Sequence, residues 1–580
     1  MKQHFILLIL TLVTIPFLFP FFKGTYFESD DGLWAVVRQA SLHNELRTGQ
    51  FPVRWSGSLN YGYGYPLFNF SYPGPYYIGE VFKVIGFDFI WSVKLTFILA
   101  TIVSVTGMYF CARELWKSDL AGVIAALFYL AGPYRWVNTY IRGSLGEIVA
   151  FAIFPFLCYV GVKLLATGKR RYLLSGSLLL ALLIISHNIM ALLFMPFFIM
   201  FIIGEIFLRY VKFNVLLKNY IEEFQNRNKG FKDNYDRKLF LNHIHLVVVM
   251  IILSIGLSAF FWLPALSELH VTKLAETPLT NITQEFSKVK GLFVTPFDNR
   301  STPDDALRTN FVRDMYFVHL TVIITVVLIL FFYRKDYQVR RHRIILYMIG
   351  YLVAAFFLTP FSEILWKNIP GLKVVDFPWR IYGILMFARP LMVAGLALIP
   401  KLRYVGLALS IIPLFSGLSG IGEIKYTDIP SKAYETNQAT TTSANEYINK
   451  WVKKPFTSHQ TEAIIEVNIP EGNTFTASAT QTKSTHKKAT YTSLLDTEVQ
   501  LPIMYFPGWK VLVDGKKHDY SYQDNNGIIK AKIPAGTHTI EAVFEETVMR
   551  TVGNGITLTT ILIITIGLGI QYNLGKRFVL

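Results

Sequence analysis

Uncharged apolar runs follow one another along most of this chain, separated by short polar segments. A run of roughly 20 apolar residues can cross the hydrocarbon core of a bilayer as a helix. Twelve runs reach or approach this length. The predicted spans are residues 4–22, 90–110, 119–134, 145–165, 173–187, 189–209, 245–263, 317–333, 344–359, 379–399, 404–421 and 553–573.

The segment 422–552 has a different pattern, in which apolar and polar residues alternate with a period of two. The alternating runs are separated by the turn pairs Asp514-Gly515, Asn526-Gly527 and Ala535-Gly536. This combination predicts a small antiparallel β-sandwich. The predicted strands lie within residues 462–469, 474–480, 489–495, 509–515, 527–533 and 538–544.

Together the two patterns predict a polytopic α-helical membrane protein of about 12 spans with an extracytoplasmic C-terminal β-sandwich domain. We expect residues 1–421 to form the transmembrane domain, with a large first outer loop at 23–89. Residues 422–552 are expected to form the β domain, and residues 553–580 the final span and a cytoplasmic tail.

Composition and charge agree with this class of protein. Of the 580 residues 52% are hydrophobic and only 16% are charged, where a soluble protein has about a quarter charged. The net charge of +17 comes from Lys and Arg that gather in alternate short loops, as the positive-inside rule requires, so we expect no nucleic-acid partner. The predicted location is the plasma membrane, with the N-terminus cytoplasmic as an uncleaved first span.

The first outer loop opens with an acidic pair, Asp30 and Asp31, directly after the first span. A helix is predicted next, with Leu33, Trp34, Val37, Leu42 and Leu46 on one face and Arg38, Gln39, Asn44, Glu45 and Arg47 on the other. Such a helix suits the headgroup layer. The aromatic run that follows, NYGYGYPLFNFSYPGPYY, has too many Gly and Pro for a span and predicts a rigid loop wall. Its aromatic faces suit sugar rings, although a loop buried against the bundle would have the same composition.

Ionisable residues at the ends of spans are costly in a membrane, so each is a functional candidate. The candidates predicted for the outer side are Asp30, Asp31, Arg54, Arg135, Arg142, Glu147, His187, Glu268, Asp376 and Arg380. Arg142 offers a bidentate cation to a phosphate, whereas the structural alternative is a snorkelling arginine beside Glu147 in the first turn of a helix. His187 is either a ligand or a satisfied polar group at a turn. Trp366 and Trp379 are typical of an interfacial belt.

No motif of a soluble enzyme competes with this set, because Walker, G-x-S-x-G, HExxH and dinucleotide sequences do not occur. Outward-facing carboxylates beside arginines fit a transfer from a lipid-linked phosphate. A carboxylate takes the proton of the acceptor while arginine binds the phosphate leaving group.

The motifs DDGLWAVVRQ, YIRGSLGEIVAF, ISHNIMALL, FWLPALSE and LWKNIPGLKVVDFPWRI, in this order, resemble bacterial integral-membrane proteins labelled as related to 6-pyruvoyl-tetrahydropterin synthase. The membrane part is similar to the GT-C superfamily of polyprenyl-phosphate-sugar-dependent glycosyltransferases. The end of the chain, YFPGWKVLVDGK to HTIEAVF and a final span, resembles membrane proteins that glycosylate cell-surface polymers.

This resemblance implies a GT-C fold with its acidic site at Asp30 and Asp31. Relatives keep an acid before Gly, which makes Asp31 the expected base and Asp30 a helper or metal ligand. Many relatives place a histidine shortly after that acid, where this chain has Trp34 and Ala35. Some members need a divalent cation and others do not, so the cofactor is left open between none and Mg²⁺ or Mn²⁺ held by the acidic pair.

The function predicted is an inverting glycosyltransferase that moves a sugar from a polyprenyl-phosphate donor to a cell-wall or surface glycan on the outer face of the membrane. Asp31 and Asp30 are the predicted catalytic residues, and Arg142 and Arg380 the predicted phosphate clamp. The secondary candidates are Glu147, His187, Glu268, Arg54 and Asp376. The alternatives are a flippase for lipid-linked glycans, which predicts ionisable groups in mid-membrane, and a non-catalytic assembly protein of the cell envelope.

Overall fold

The structure is a computed structural model that describes residues 3–222, 230–276, 305–332, 338–373, 375, 377–421, 424–442, 444–457, 465–467 and 471–577. Helices dominate up to residue 421, and strands dominate from 465 to 544. The α-helices are Gln3–Leu18, Gly32–Arg47, Leu67–Phe70, Gly74–Ile85, Phe89–Trp116, Asp119–Leu130, Pro133–Trp136, Leu145–Thr167, Arg170–Ser186, Asn188–Glu222, Gly230–Leu257, Ala259–Glu268, Asp305–Phe332, Gln338–Phe356, Glu363–Asn368, Pro370–Lys373, Tyr382–Ala394, Arg403–Ile421, Ser431–Glu435 and Val548–Arg577.

Within the described residues, six helices are long and apolar enough to cross a membrane: Gln3–Phe22, Phe89–Trp116, Leu145–Thr167, Asn188–Arg209, Pro378–Leu398 and Val548–Leu568. Three further pairs of helices are long and apolar enough only when both helices of a pair are counted as one span. These pairs bend by 46°, 67° and 83°, and counting them gives up to nine spans. The nine spans correspond to nine of the twelve predicted runs, and the other three runs lie in the helices Arg170–Ser186, Asp305–Phe332 and Arg403–Ile421.

The C-terminal domain contains two antiparallel sheets, as the alternation predicts. Its strands are β1 Ile465–Val467, β2 Phe475–Lys483, β3 His486–Ser493, β4 Thr497–Met504, β5 Trp509–Val513, β6 Lys516–His518, β7 Ile528–Ile533 and β8 Gly536–Phe544. One sheet has the order β1-β4-β7 and the other the order β2-β3-β8-β5-β6. The Asp514-Gly515 pair, with φ of 50° and 75°, forms the turn between β5 and β6. Strand β4 was missed because Leu501, Pro502, Ile503 and Met504 are all buried and do not alternate.

The chain divides into two compact units. The first comprises Met1–Gly32, Lys94–Gly256 and Thr280–Asp428, and contains most of the spans. The second comprises Leu33–Val93, Leu257–Leu279 and Ile429–Leu580. Most of the first outer loop therefore packs in one unit with the β domain, which the sequence pattern had assigned to a separate domain.

The helix Gly32–Arg47 forms where it is predicted, but two residues of its predicted polar face are buried. Gln39 is fully buried and donates to Glu80 at 3.2 Å, and Glu45 is 3% exposed. Glu45 accepts hydrogen bonds from Gly57 N at 2.8 Å and from Gln50 Nε2 at 3.1 Å. Arg38 also donates to Thr441 at 3.3 Å, so part of the predicted polar face contacts protein, whereas Asn44 and Arg47 are exposed.

Candidate functional site

The candidate site forms around the first turn of the helix Leu145–Thr167. Before this helix, the span that begins at Asp119 bends by 46° and ends in the π-helical turn Val137–Ile141. The chain then reverses through Arg142, Gly143 and Ser144, and Ser144 N donates to Asn138 O at 2.8 Å. This reversal places the polar side chains of the turn beside Glu147, which is fully buried.

Four side chains surround the Glu147 carboxylate. Oε1 accepts from Arg142 Nη1 at 2.6 Å, and Oε2 accepts from the Tyr134 hydroxyl at 3.1 Å. Arg380 Nε lies 3.5 Å from the same Oε1, and His187 Nε2 lies 3.9 Å from it. Two guanidinium groups therefore share one oxygen of a single buried carboxylate.

Arg142 is held on three sides. It donates to Asn138 Oδ1 as well as to Glu147, and its guanidinium lies over the ring of Trp379, 4.4 Å from the ring centroid. Burial acts to lower the pKa of Arg142, but the charges of Glu147 and Asp31 outweigh it, and the net pKa is raised above its ordinary value. The group stays cationic although it is only 5% exposed.

Arg380 reaches the site from the 3₁₀ turn Pro378–Ile381 at the start of a span. Its guanidinium lies 5.3 Å from the ring centroid of Phe377. Among the described residues its Nε is buried without a hydrogen-bond acceptor, since 3.5 Å to Glu147 is an ion-pair distance. A half-buried guanidinium beside Arg142, whose Nε has no hydrogen-bond acceptor among the described residues, suits a ligand with several acceptor oxygens.

His187 lies between the helices Arg170–Ser186 and Asn188–Glu222, and is 3% exposed. Met190 N donates to His187 Nδ1 at 3.1 Å. A ring nitrogen that accepts a hydrogen bond carries no proton, so the neutral imidazole has its proton on Nε2, the atom that faces Glu147. This bond fixes the ring and orients Nε2 toward the cluster.

The acidic pair is joined to the same turn through the backbone. Asp30 N donates to Ile141 O at 2.9 Å, and Asp31 N donates to Arg142 O at 2.7 Å. Both aspartates are half-buried. The two backbone segments can come this close because glycines lie where they meet. Gly143 has φ +66°, and a Cβ there would lie 2.4 Å from the backbone nitrogen of Gly32. Backbone hydrogen bonds thus hold the acidic pair against the turn that carries Arg142, within one compact unit.

The acidic residues of the site are only partly suited to bind a metal cation. Among the residues that the structure describes, no group of three His, Cys, Asp or Glu side chains converges as a metal site. Mg²⁺ is commonly held by one or two carboxylates together with substrate phosphates. Asp30 and Asp31 supply the number of carboxylates that such a site uses.

Two secondary candidates lie in the other unit, in separate ion pairs. Glu268 Oε2 accepts from Arg550 Nη2 at 3.0 Å and from Asn69 Nδ2 at 2.9 Å. Arg54 is 2% exposed and donates to Glu546 at 3.0 Å. These contacts fasten the start of the last span, which gives both residues a structural explanation. Asp376 lies outside the described residues.

Three residues of the site were missed or misinterpreted from the sequence. Tyr134 and Asn138 precede the turn by one or two helical turns, and no motif distinguishes them from ordinary polar residues of a span. Trp379 is 3% exposed and stacks on Arg142, so its assignment to a lipid-facing belt is wrong. Trp366 is also fully buried.

The fold and the site define a multi-pass membrane protein with a buried arginine–glutamate cluster next to an acidic pair. Residues 68–225 match the family model described as 6-pyruvoyl-tetrahydropterin synthase related domain, membrane protein. The family resemblance found in the sequence is confirmed over this segment.

Other similar proteins share less with this chain. An uncharacterized protein of Lactococcus lactis subsp. cremoris (strain MG1363) is 23% identical over 272 residues, which are 45% of this chain and 39% of that protein. The chain therefore matches well under half the length of this relative.

Three solved structures share partial similarity with this chain. The Archaeoglobus fulgidus oligosaccharyltransferase in complex with Zn and sulfate has a TM-score of 0.38 at 13% identity, with 78% of this chain and 58% of that chain covered. The same organism's AglB with an inhibitory peptide and a dolichol-phosphate has a TM-score of 0.37 at 13% identity, covering 78% and 60%. ArnT from Cupriavidus metallidurans bound to undecaprenyl phosphate has a TM-score of 0.38 at 13% identity, covering 74% and 67%.

Proposed function

We propose that this protein is an inverting glycosyltransferase that moves a sugar from a polyprenyl-phosphate donor to a cell-wall or surface glycan at the outer face of the membrane. The observation that carries the proposal is the double role of Arg142. Its carbonyl oxygen binds the backbone of Asp31, and its guanidinium binds Glu147 beside Arg380. This contact supports a proposal in which a carboxylate for a hydroxyl proton and two cations for a phosphate act in one site.

The reaction in this proposal is a single displacement at the anomeric carbon. Asp31 accepts the proton of an acceptor hydroxyl, and the hydroxyl oxygen forms the new glycosidic bond on the face opposite the phosphate. The bond between the anomeric carbon and the phosphate oxygen breaks, and polyprenyl phosphate leaves with the electron pair. Arg142 and Arg380 stabilise the charge that develops on this phosphate.

The supporting residues have defined tasks. Glu147 orients both arginines through Oε1, while Tyr134 and His187 hold Glu147 from other sides. Asp30 assists Asp31, and a divalent cation bound by this pair would supply additional positive charge for the phosphate. Stacking on Trp379 limits the rotation of Arg142, so its donors are ordered before the donor binds.

The test uses cells that lack the gene and are complemented with the full-length chain. Asp31→Asn combined with Asp30→Asn should abolish sugar incorporation into the surface polymer at wild-type protein levels. Glu28→Gln is the matched control, because Glu28 is an exposed acid two residues before the pair. Wild-type incorporation by the double variant would refute the enzymatic function.

One observation favours a second function, a flippase for lipid-linked glycans. Arg389 lies at the middle of the span Pro378–Leu398, is 3% exposed, and contacts His319 Nε2 at 3.1 Å. Among the described residues no carboxylate forms an ion pair with it. A charge in mid-membrane is typical of a transport route. If Arg389→Gln stops the movement of a lipid-linked glycan between leaflets while Asp31→Asn does not, the flippase is the correct function.

A further inference from the structure

The helix Gly74–Ile85 in the first outer loop carries an exposed apolar face. Val81 is 58% exposed, Val84 is 75% exposed and Ile85 is 68% exposed. These positions are three and four residues apart and therefore share one face of the helix. Phe51 extends the surface: it is 76% exposed and its ring lies 6.0 Å from that of Tyr77 on the same helix. We call Phe51, Val81, Val84 and Ile85 the loop patch.

The opposite face of this helix is fixed to the rest of the loop. Tyr76 and Gly79 are buried. Glu80 lies at the edge of the exposed face, one helical turn before Val84; it accepts from Gln39 at 3.2 Å and contacts His43 Nδ1 at 2.7 Å, both on the helix Gly32–Arg47. The helix is therefore held by buried residues opposite the loop patch and by polar contacts at its edge, and the patch cannot turn inward without breaking these contacts.

The position of the patch relative to a bilayer follows from chain continuity. Leu95–Ala112 is an uncharged run of 18 residues between Lys94 and Arg113 within the span Phe89–Trp116. At 1.5 Å per residue it is about 27 Å long, close to the roughly 30 Å of a hydrocarbon core. Phe89 then lies about 9 Å beyond Leu95, in the headgroup layer. Only Gly86, Phe87 and Asp88 separate Phe89 from the helix Gly74–Ile85.

We infer that the loop patch inserts into the outer leaflet and that the helix Gly74–Ile85 is an interfacial anchor. An apolar face of this kind, directly before a span, fits the boundary between headgroups and acyl chains. The anchor holds the loop that begins at the acidic pair against the membrane surface. The sequence pattern predicts such an anchor on the helix Gly32–Arg47, where Gln39 and Glu45 of the predicted polar face are buried.

A depth measurement on the full-length protein in nanodiscs tests this inference. The variant Val84→Cys is labelled with the fluorophore NBD, since Cys111 and Cys158 are fully buried. The nanodiscs contain phospholipids with a nitroxide near the top of the acyl chain. Leu562→Cys, 59% exposed on the last span, serves as the lipid-facing reference. Leu494→Cys, 62% exposed after β3, is the control with a similar side chain and exposure.

We expect NBD at position 84 to lose as much fluorescence to the nitroxide lipids as NBD at position 562, and position 494 to lose little. Equal, weak quenching at positions 84 and 494 would overturn the inference. A blue-shifted but unquenched probe at position 84 would also overturn it, because a protein surface and not lipid would then cover the patch. Neither result bears on sugar transfer, which the aspartate variants test.

Discussion

Asp31 N donates a hydrogen bond to the carbonyl oxygen of Arg142 at 2.7 Å, although 111 positions separate the two residues in the sequence. This bond attaches the start of the first outer loop to the turn before a span. It places Asp31, the proposed base, and Arg142, a proposed phosphate ligand, on neighbouring backbone segments. The predictions below follow from this arrangement and from the ion pairs around it.

Replacing Arg142 with lysine should impair sugar transfer strongly. An ammonium keeps the charge but loses the planar fork and the stacking on Trp379. Removing one preorganised donor of this kind costs about 10²–10³ in rate. The measurement is incorporation of labelled sugar by membranes that carry equal amounts of protein. Arg171→Lys, at an exposed position in the first turn of the helix Arg170–Ser186, is the control. Full activity of Arg142→Lys would exclude a phosphate-binding fork.

Glycine at position 143 should be required for folding of the site. Gly143→Ala combines a left-handed residue with a Cβ 2.4 Å from Gly32 N, so it should cost more than the roughly 1–2 kcal/mol of the backbone conformation alone. Gly168→Ala has a similar φ, +60°, with nothing within 4 Å of its Cβ. Thermal unfolding in detergent should show a larger loss for Gly143→Ala. Equal losses of thermal stability in the two variants would show that the backbone segments at Gly143 and Gly32 separate easily.

Glu268 should contribute to stability and not to chemistry. Glu268→Gln leaves the buried cation of Arg550 uncompensated, which typically costs 3–5 kcal/mol. We expect a lower melting temperature with unchanged transfer per folded molecule. Glu363→Gln is the control, because its pair with Lys367 is more exposed. A loss of turnover in folded Glu268→Gln would instead return Glu268 to the catalytic candidates.

Stability should depend on the charge state of Glu45. Burial raises the pKa of this carboxyl from 4.5 to about 7, and the hydrogen bonds from Ser484 and Gly57 only partly oppose the shift. The folded state therefore holds the proton more tightly than the unfolded state. The stabilisation is fully present below about pH 4.5 and is lost as the pH rises through 7.

The measurement is the melting temperature of the purified protein between pH 4.5 and 8. The wild type should lose stability over this interval, and Glu45→Gln should lose less, because a neutral amide has no proton to release. The shift corresponds to about 3 kcal/mol at most. Parallel profiles for the two proteins would contradict the assigned pKa.

The loop patch shows what a residue pattern can and cannot predict. An apolar stripe predicts that a helix has an apolar face, but it does not reveal what covers that face. Leu42 and Val37 are covered by protein, whereas Val81, Val84 and Ile85 are not. Burial depends on the neighbouring segments, including Glu80 and its partners, which come from elsewhere in the chain.

The sequence by itself determined the membrane class, the location of the long apolar helices, the β domain with its Asp514-Gly515 turn, and the residue types of the site, but not the helices Leu67–Phe70 and Gly74–Ile85. These properties depend on local periodicity and on the free energy of transferring side chains into lipid, which each segment carries independently. Only the tertiary structure decided that Arg142, Arg380 and His187 converge on Glu147, and that Glu268 and Arg54 pair elsewhere. Charge pairing at 3 Å depends on contacts between segments far apart in the chain, and no local pattern encodes it.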